Sequence, residues 1–126
     1  MCRQRFWIIT AGIFGFLGVA LGAFGAHGLK AQISPDMLEI FKTGVFYQLI
    51  HSVVILATGL SGINKFYKSA FFFSTGIILF SFSLYIYSVT SVTFFALITP
   101  LGGLAFLTGW LLMIIAGLKY KSGPLN

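Results

Sequence analysis

Acidic side chains are nearly absent from this chain, and charge of either sign is scarce. Asp36 and Glu39 are the two carboxylates against eight lysines and arginines, and charged residues make up 8% of the 126 residues. A soluble domain would have about a quarter of its residues charged to cover its surface. The composition therefore excludes a soluble globular protein, and the length suits one membrane domain over residues 1–126.

Cysteine is equally scarce, since Cys2 is the single one and cannot form an internal disulfide. The two histidines, His27 and His51, would need Asp36 or Glu39 to complete a metal site. Their spacing matches no established ligand motif, so we expect neither a metal nor a cofactor.

The net charge of +6 is not arranged for nucleic acid, which requires a basic stripe or face. Most basic residues form pairs at the ends of apolar runs, where they orient helices in a bilayer. The pairs are Arg3 and Arg5, Lys65 and Lys68, and Lys119 and Lys121. The expected surroundings are therefore a lipid bilayer, and nucleic acid is not an expected partner.

Long apolar runs are the most prominent feature of the sequence. A bilayer core about 30 Å thick takes roughly 20 helical residues to cross. Four runs reach that length, at residues 6–26, 44–63, 69–89 and 94–118. Runs this long without alternation exclude a barrel, the other structure that satisfies its backbone in lipid. The predicted fold class is an all-α integral membrane protein with four transmembrane helices in a compact bundle.

The distribution of basic residues predicts the orientation. The N-terminus, the turn at residues 64–68 and the C-terminal tail share one face of the membrane and carry six basic residues. The opposite face has Lys30 and Lys42, which Asp36 and Glu39 offset. Because basic loops stay in the cytoplasm, both termini are predicted to be cytoplasmic.

The first span also has features of a cleaved signal peptide. Arg3 and Arg5 precede it, and Ala23 with Gly25 would make a small-residue cleavage site. Its apolar stretch of about 20 residues exceeds the 7–15 of a signal core, which favours a transmembrane helix.

The first outer connection is predicted to contain a short amphipathic helix at residues 34–43. Ser34 can cap it, Pro35 suits the first helical position, and Asp36 suits the positive first turn. We interpret it as a surface helix at the membrane interface, with a lid or docking element as the alternative.

Small residues form a seam on the first span. Gly15, Gly18, Gly22 and Gly25 fall within an arc of about 80°, and Gly18, Gly22 and Ala26 are spaced by fours. This small-xxx-small pattern lets two helices approach closely. The partner is either a neighbouring span of the same chain or a second copy of it.

The fourth span contains Pro100, Gly102 and Gly103 near its start. Proline removes a backbone donor and glycine loosens the helix, so we expect a kink or a late helix start. A bend that permits tight packing is one interpretation. A broken helix lining a substrate site is the other, and only Thr99 and Thr108 would supply polar groups nearby.

Polar side chains within the spans are few, and none is Asp, Glu, Lys or Arg, which argues against ion-coupled transport. The candidates are Tyr47, Gln48 and His51 in the second span and His27 at the outer end of the first. All four are expected towards the outer leaflet, where the histidines could meet if the first helix bends or ends near residues 25–28. They serve either as hydrogen-bonding groups between helices or as contacts for a ligand or quinone-type headgroup.

No catalytic residue is predicted. The serines lack a neighbouring base and a nucleophile-elbow context, and no loop is suited to cradle phosphate. The residues support no enzyme class.

Four ordered motifs resemble a known family. They are GAFGAHGLK (22–30), YQLIHSVVIL (47–56), GIILFSFSLY (76–85) and TPLGGLAFLTGWLL (99–112). Together they resemble the YgdD/YwdK-like family of small inner-membrane proteins of unknown function, which has transmembrane relatives in animals. The resemblance implies a four-helix protein of the bacterial inner membrane with no established activity.

The resemblance also carries over to single positions. His27 and His51 fall on the family's two histidine positions. The positions that match its last motif are Pro100, Gly102, Gly103, Gly109 and Trp110. Phe82 departs from the pattern, because a glycine is usual between the two serines there, and this puts close packing at that point of the third span in question.

Two functions are consistent with these features. The first is a structural or interaction protein that acts as an accessory bundle, with further copies of itself or another membrane protein as partner. The second is a small-molecule or lipid-headgroup binder or transporter that uses a polar patch around His27 and His51.

Overall fold

Four long helices make up nearly all of residues 2–121, the part of the chain that the computed structural model describes. They are α1 (Arg3–Leu29), α2 (Pro35–Ser61), α3 (Asn64–Thr90) and α4 (Thr93–Leu118). Each is apolar enough, and at 26 or 27 residues long enough, to cross a membrane. No strand occurs within residues 2–121. The prediction of an all-α protein with four transmembrane helices is confirmed.

The helices extend beyond the predicted spans at several ends. Residues 34–43 form no separate helix but the cap and first turns of α2, so the α1–α2 loop is reduced to about residues 30–34. Ser34 Oγ accepts a hydrogen bond from the Met37 N–H at 3.3 Å, and Pro35 occupies the first position. Phe41 is buried against α1, and this contact holds the segment in the bundle. Residues 64–68, predicted as a turn, are the first turn of α3.

The α1–α2 contact depends on glycines. A side chain at Gly18 or Gly25 would collide with Leu49 or Phe41 of α2, respectively. A Cβ at Gly22 would be in tight contact with Val45, at 3.2 Å. These pairs run in opposite directions along the two helices, so α1 and α2 are antiparallel. Lipid provides no hydrophobic drive for this contact, and close packing must stabilise it instead.

Two members of the predicted seam do not take part in this contact. Nothing lies within 4 Å of the position that a Gly15 side chain would occupy, and Ala26 is exposed. The spacing by fours therefore ends at Gly22, and Gly25 continues the contact in place of Ala26.

Glycines and phenylalanines interlock α3 with α4. The Phe106 ring lies over Gly76, and the Phe73 ring lies over Gly109, where an added Cβ would be 2.6 Å from it. Gly102 differs from these two, because its missing side chain lets α4 touch the backbone of Phe80 and not a ring. These contacts require the small residues that the last motif supplies.

α4 is one continuous helix through Pro100, with no late start. Proline at this position costs a single N–H, so only the carbonyl of Ala96 loses its helical donor. Of the two expected alternatives, a kink or a late helix start, the late start does not occur, because the helix already begins seven residues earlier at Thr93.

The helices pack in the order α1, α2, α3, α4, and each pair of neighbours in the chain is in close contact. α2 and α4 therefore face each other across a gap that aromatic side chains fill, and so do α1 and α3. Phe82 fills part of the second gap: it is half-buried and its ring centroid lies 6.4 Å from that of Phe14. A phenylalanine is accommodated at this position because α1 and α3 are not closely packed there.

Candidate functional site

Gln48 lies fully buried where α1, α2 and α3 meet. Its Nε2 donates to the Phe14 carbonyl of α1 at 2.8 Å, and its Oε1 accepts from the Tyr85 hydroxyl of α3 at 2.7 Å. Gly18 lies next to this amide, since a Cβ added there would be in van der Waals contact with its Nε2 at 3.5 Å. A buried amide costs free energy unless it is hydrogen-bonded, so this junction ties three helices together.

His51 forms a second junction, between α2 and α4. The Trp110 indole N–H donates to its Nε2 at 3.2 Å, and its Nδ1 lies 2.8 Å from the Tyr47 carbonyl oxygen. An indole N–H only donates and a carbonyl only accepts, so the proton sits on Nδ1 of a neutral ring. The ring also stacks on Phe106, with centroids 3.8 Å apart and planes inclined by 13°. Both nitrogens are thus occupied, and neither is free to bind a metal or act as a base.

A cleft of about 590 Å³ opens beside His51 in the gap between α2 and α4. Its aromatic wall consists of Tyr47, Phe80, Phe106 and Trp110 together with the histidine. Its α4 side also includes Pro100, Gly103, Leu104 and Leu107. Leu107 is 67% exposed, so the cleft opens onto the lipid-facing surface. The cleft lies at mid-depth in the membrane, because His51 is near the middle of α2. His51 is therefore not close to the end of α2 that was expected to face the outer leaflet.

Tyr47 is the polar residue of this wall that has a free group. Its ring packs on Phe80 with centroids 4.5 Å apart, and 37% of the residue is exposed. Within residues 2–121 its hydroxyl has no hydrogen-bond partner. The cleft therefore combines an apolar wall with one hydroxyl, of Tyr47, that has no hydrogen-bond partner within residues 2–121.

His27 does not join the other candidate residues. It is exposed on the last turn of α1, a π-helical segment at Gly25–Leu29. Gly25 lies beside Phe41, and His51 is ten residues further along α2, which is about 15 Å at 1.5 Å per residue. The helix neither bends nor ends in a way that would turn His27 inward. The two histidines therefore do not meet, and a shared metal site is not formed.

Metal-binding groups are not clustered in the described part of the chain. Among residues 2–121, no three His, Cys, Asp or Glu side chains are placed to hold one ion. Two buried serine hydroxyls, of Ser69 and Ser81, have no hydrogen-bond partner within the described residues.

Tyr85 and Trp110 were not predicted to have these roles, although both lie in the quoted motifs. Their large apolar rings are typical of residues that only fill space in a membrane helix. Only the fold shows that the Tyr85 O–H reaches Gln48 and that the Trp110 N–H reaches His51. A Ser83–Thr99 hydrogen bond of 2.7 Å also links α3 to α4, and only the fold shows that these two hydroxyl side chains meet. The available signal was that a buried Tyr or Trp usually finds a hydrogen-bond partner.

Together these features define a polytopic helical membrane protein whose polar side chains bind its helices to one another. A family model described as "Protein of unknown function (DUF423)" matches residues 21–103. The chain belongs to this family, which confirms the resemblance of its four motifs.

Two relatives cover almost the whole chain. The UPF0382 membrane protein YwdK of Bacillus subtilis is 43% identical over 122 residues, which are 93% of this chain and 99% of the relative. The UPF0382 inner membrane protein YgdD of Escherichia coli K12 is 39% identical over 122 residues, 94% of this chain and 93% of the relative. No solved structure matches the chain.

Proposed function

We propose that this protein is a non-enzymatic structural and interaction protein, an accessory bundle of the bacterial cytoplasmic membrane. The observation that carries the proposal is that the intramembrane amide and imidazole are both used within the bundle. Gln48 bonds Phe14 and Tyr85, and His51 bonds Trp110 and the Tyr47 carbonyl. No acid or base in the spans is left to move protons or couple ions, which is what pumps and transporters need.

The proposal includes an orientation with both termini in the cytoplasm. The end of the bundle where α1 and α3 begin carries three pairs of basic residues, whereas both carboxylate side chains lie at the other end. An excess of lysine and arginine marks the cytoplasmic side of bacterial membrane proteins. The name of the Escherichia coli relative, an inner membrane protein, supports the same membrane.

The partner in this proposal is a second copy of the chain or another membrane protein that packs on the outer side of α1 and α2. Gly12 and Gly15 support this surface, because open space lies beyond both while the other α1 glycines from Gly18 to Gly28 contact side chains of this chain. Val53, 66% exposed, lies beside them on α2. Small residues on an exposed helical face permit the close approach that helix association in lipid requires.

Site-specific photo-crosslinking in intact cells tests this. A photoreactive amino acid at Val53 should give a discrete crosslinked product, and the same group at Leu97 of α4, 69% exposed, serves as the matched control. Native mass spectrometry in mild detergent then shows whether the product is a dimer or a complex. A monomer that yields no protein crosslink from either position would overturn the proposal.

A second candidate function is binding of a small membrane-soluble molecule in the cleft between α2 and α4. The near-parallel rings of His51, Phe106 and Tyr47 suit a flat headgroup, and the Tyr47 hydroxyl offers it a hydrogen bond. Quinones combine a flat ring, carbonyl acceptors and an apolar tail. His27 takes no part in this version of the site.

Trp110 reports on the cleft once Trp7 is replaced by phenylalanine. Decylubiquinone should quench its fluorescence saturably, and Gly103→Leu, which fills the cleft, should abolish the saturable part. Gly117→Leu is the matched control, because Gly117 is also open but lies elsewhere on α4. Quenching that stays linear with quinone, or that survives Gly103→Leu, would exclude this function.

A further inference from the structure

The charge of this protein is strongly polarised along the bundle. Arg3, Arg5, Lys65, Lys68 and the lysines that follow α4 all lie at the end where α1 and α3 begin. Neither carboxylate side chain of the sequence lies there. Among residues 2–121 the single ion pair is Lys42–Glu39, at the opposite end. The cations at the basic end are therefore not neutralised by acidic side chains of the chain.

A groove of about 510 Å³ lies at this end, between the first turns of α1 and α3. Arg3, Asn64 and Lys68 supply its polar lining, and Phe6, Trp7 and Phe71 supply aromatic surface. Trp7 and Phe71 follow Arg3 and Lys68 by about one helical turn, so the aromatic part lies deeper in the membrane. The cations thus lie at the mouth of the groove, and the apolar surface lies deeper in the membrane.

The two helices that form the groove both begin at its mouth without a cap. Neither the residue before α1 nor the residue before α3 makes a side-chain capping bond, and neither helix has an acidic residue in its first turn. α2, at the other end, has both Ser34 and Asp36. α4 also starts uncapped, but its first turn has no basic residue. Uncapped first-turn N–H groups and the positive end of the helix dipole favour an anion.

We propose that this groove is a binding site for an anionic phospholipid of the surrounding membrane. The lipid phosphate lies between Arg3 and Lys68 and accepts from Asn64, and an acyl chain follows Trp7 and Phe71 into the bilayer. Basic pockets between transmembrane helices are suited to anionic headgroups, and each nearby cation strengthens binding about fivefold. Lys65 is not assigned to the phosphate, because its Nζ donates to the Lys119 carbonyl at the end of α4.

The position of Trp7 makes the site measurable, because the chain has only one other tryptophan, Trp110. In a Trp110→Phe protein reconstituted into nanodiscs, Trp7 fluorescence reports on the groove alone. Phosphatidylglycerol brominated near the headgroup should quench it at a lower mole fraction than equally brominated phosphatidylcholine. Removing both cations with Arg3→Gln and Lys68→Gln should abolish this preference, with a loss of roughly fivefold for each.

The matched control removes the same charge outside the groove, with Arg5→Gln and Lys121→Gln. These changes should leave the preference intact if the lipid is bound in the groove. Equal quenching by the two lipids, or equal loss in both double variants, would overturn the proposal and leave only attraction to surface charge. Native mass spectrometry of the chain with both tryptophans gives a second readout: retained phosphatidylglycerol should fall in the groove variant only.

Discussion

At the scale of single residues, hydrogen bonds to neighbouring helices keep two polar side chains inside this membrane bundle. Gln48 and His51 are buried three residues apart on α2 and are turned to different neighbours. Gln48 receives its partners from α1 and α3, whereas His51 receives its side-chain partner from α4. One stretch of α2 thereby fixes the positions of all three other helices.

The Tyr85→Phe variant tests the first junction. It removes the donor to Gln48 Oε1 without changing the ring, so a buried acceptor is left unpaired, and the free energy of unfolding should fall by about 1 kcal/mol. Denaturant titration in detergent micelles measures this. Tyr87→Phe is the matched control, because that hydroxyl, on the same helix, has no hydrogen-bond partner within residues 2–121. Equal stability of the two variants would contradict the assigned role.

A double-mutant cycle tests the second junction. Trp110→Phe and His51→Phe each remove one partner of the 3.2 Å bond, and the double variant removes both. Intramembrane hydrogen bonds measured in this way are worth about 0.6 kcal/mol on average. We expect a coupling free energy of about 1 kcal/mol, because without its partner each group is left unpaired beside hydrocarbon. Additive effects would mean that the indole and imidazole contribute by packing alone.

At the scale of helices, glycine decides which surfaces touch. Sequence alone predicts that the α1 glycines form a packing face, but not which of them meet α2. Gly15 and Gly18 lie on the same face by helical geometry, and yet only Gly18 has a neighbour within 4 Å. The difference depends on where α2 lies and on the side chain it places there, Leu49 for Gly18. Such information is contained in the packing of two helices and not in the periodicity of one.

Two adjacent glycines of α4 provide a direct comparison. A Cβ at Gly102 would lie 2.7 Å from the Leu79 carbonyl carbon and would also collide with the Phe80 backbone, whereas Gly103 has open space. Backbone cannot move aside as a side chain can, so Gly102→Ala should lower the free energy of unfolding by about 3 kcal/mol. Gly103→Ala should be neutral or slightly stabilising, because alanine favours the helix. The same micelle titration distinguishes them, and equal losses would refute the α3–α4 contact.

At the scale of the whole molecule, the length and apolarity of the spans predict the four-helix fold, because a bilayer accepts few other structures. The same reasoning could not find the cleft. Its existence depends on α2 and α4 being kept apart, with His51 bonded to Trp110 across the gap. His27 shows that a match to a family position does not by itself identify a site residue. It matches a family position, but the fold leaves it exposed on the last turn of α1 and does not bring it to His51.

The single cysteine allows the orientation to be measured on the native chain. Cys2 is exposed and precedes Arg3 at the basic end, so a cytoplasmic N-terminus places its thiol inside the cell. A membrane-impermeant maleimide should leave intact spheroplasts unlabelled and should label Cys2 in inverted vesicles. A Cys2→Ser chain carrying Gln32→Cys in the α1–α2 connection is the control, and its labelling should be reversed. Labelling of Cys2 in intact spheroplasts would place the basic end outside and overturn the proposed orientation, because the six cations would then face away from the cytoplasm.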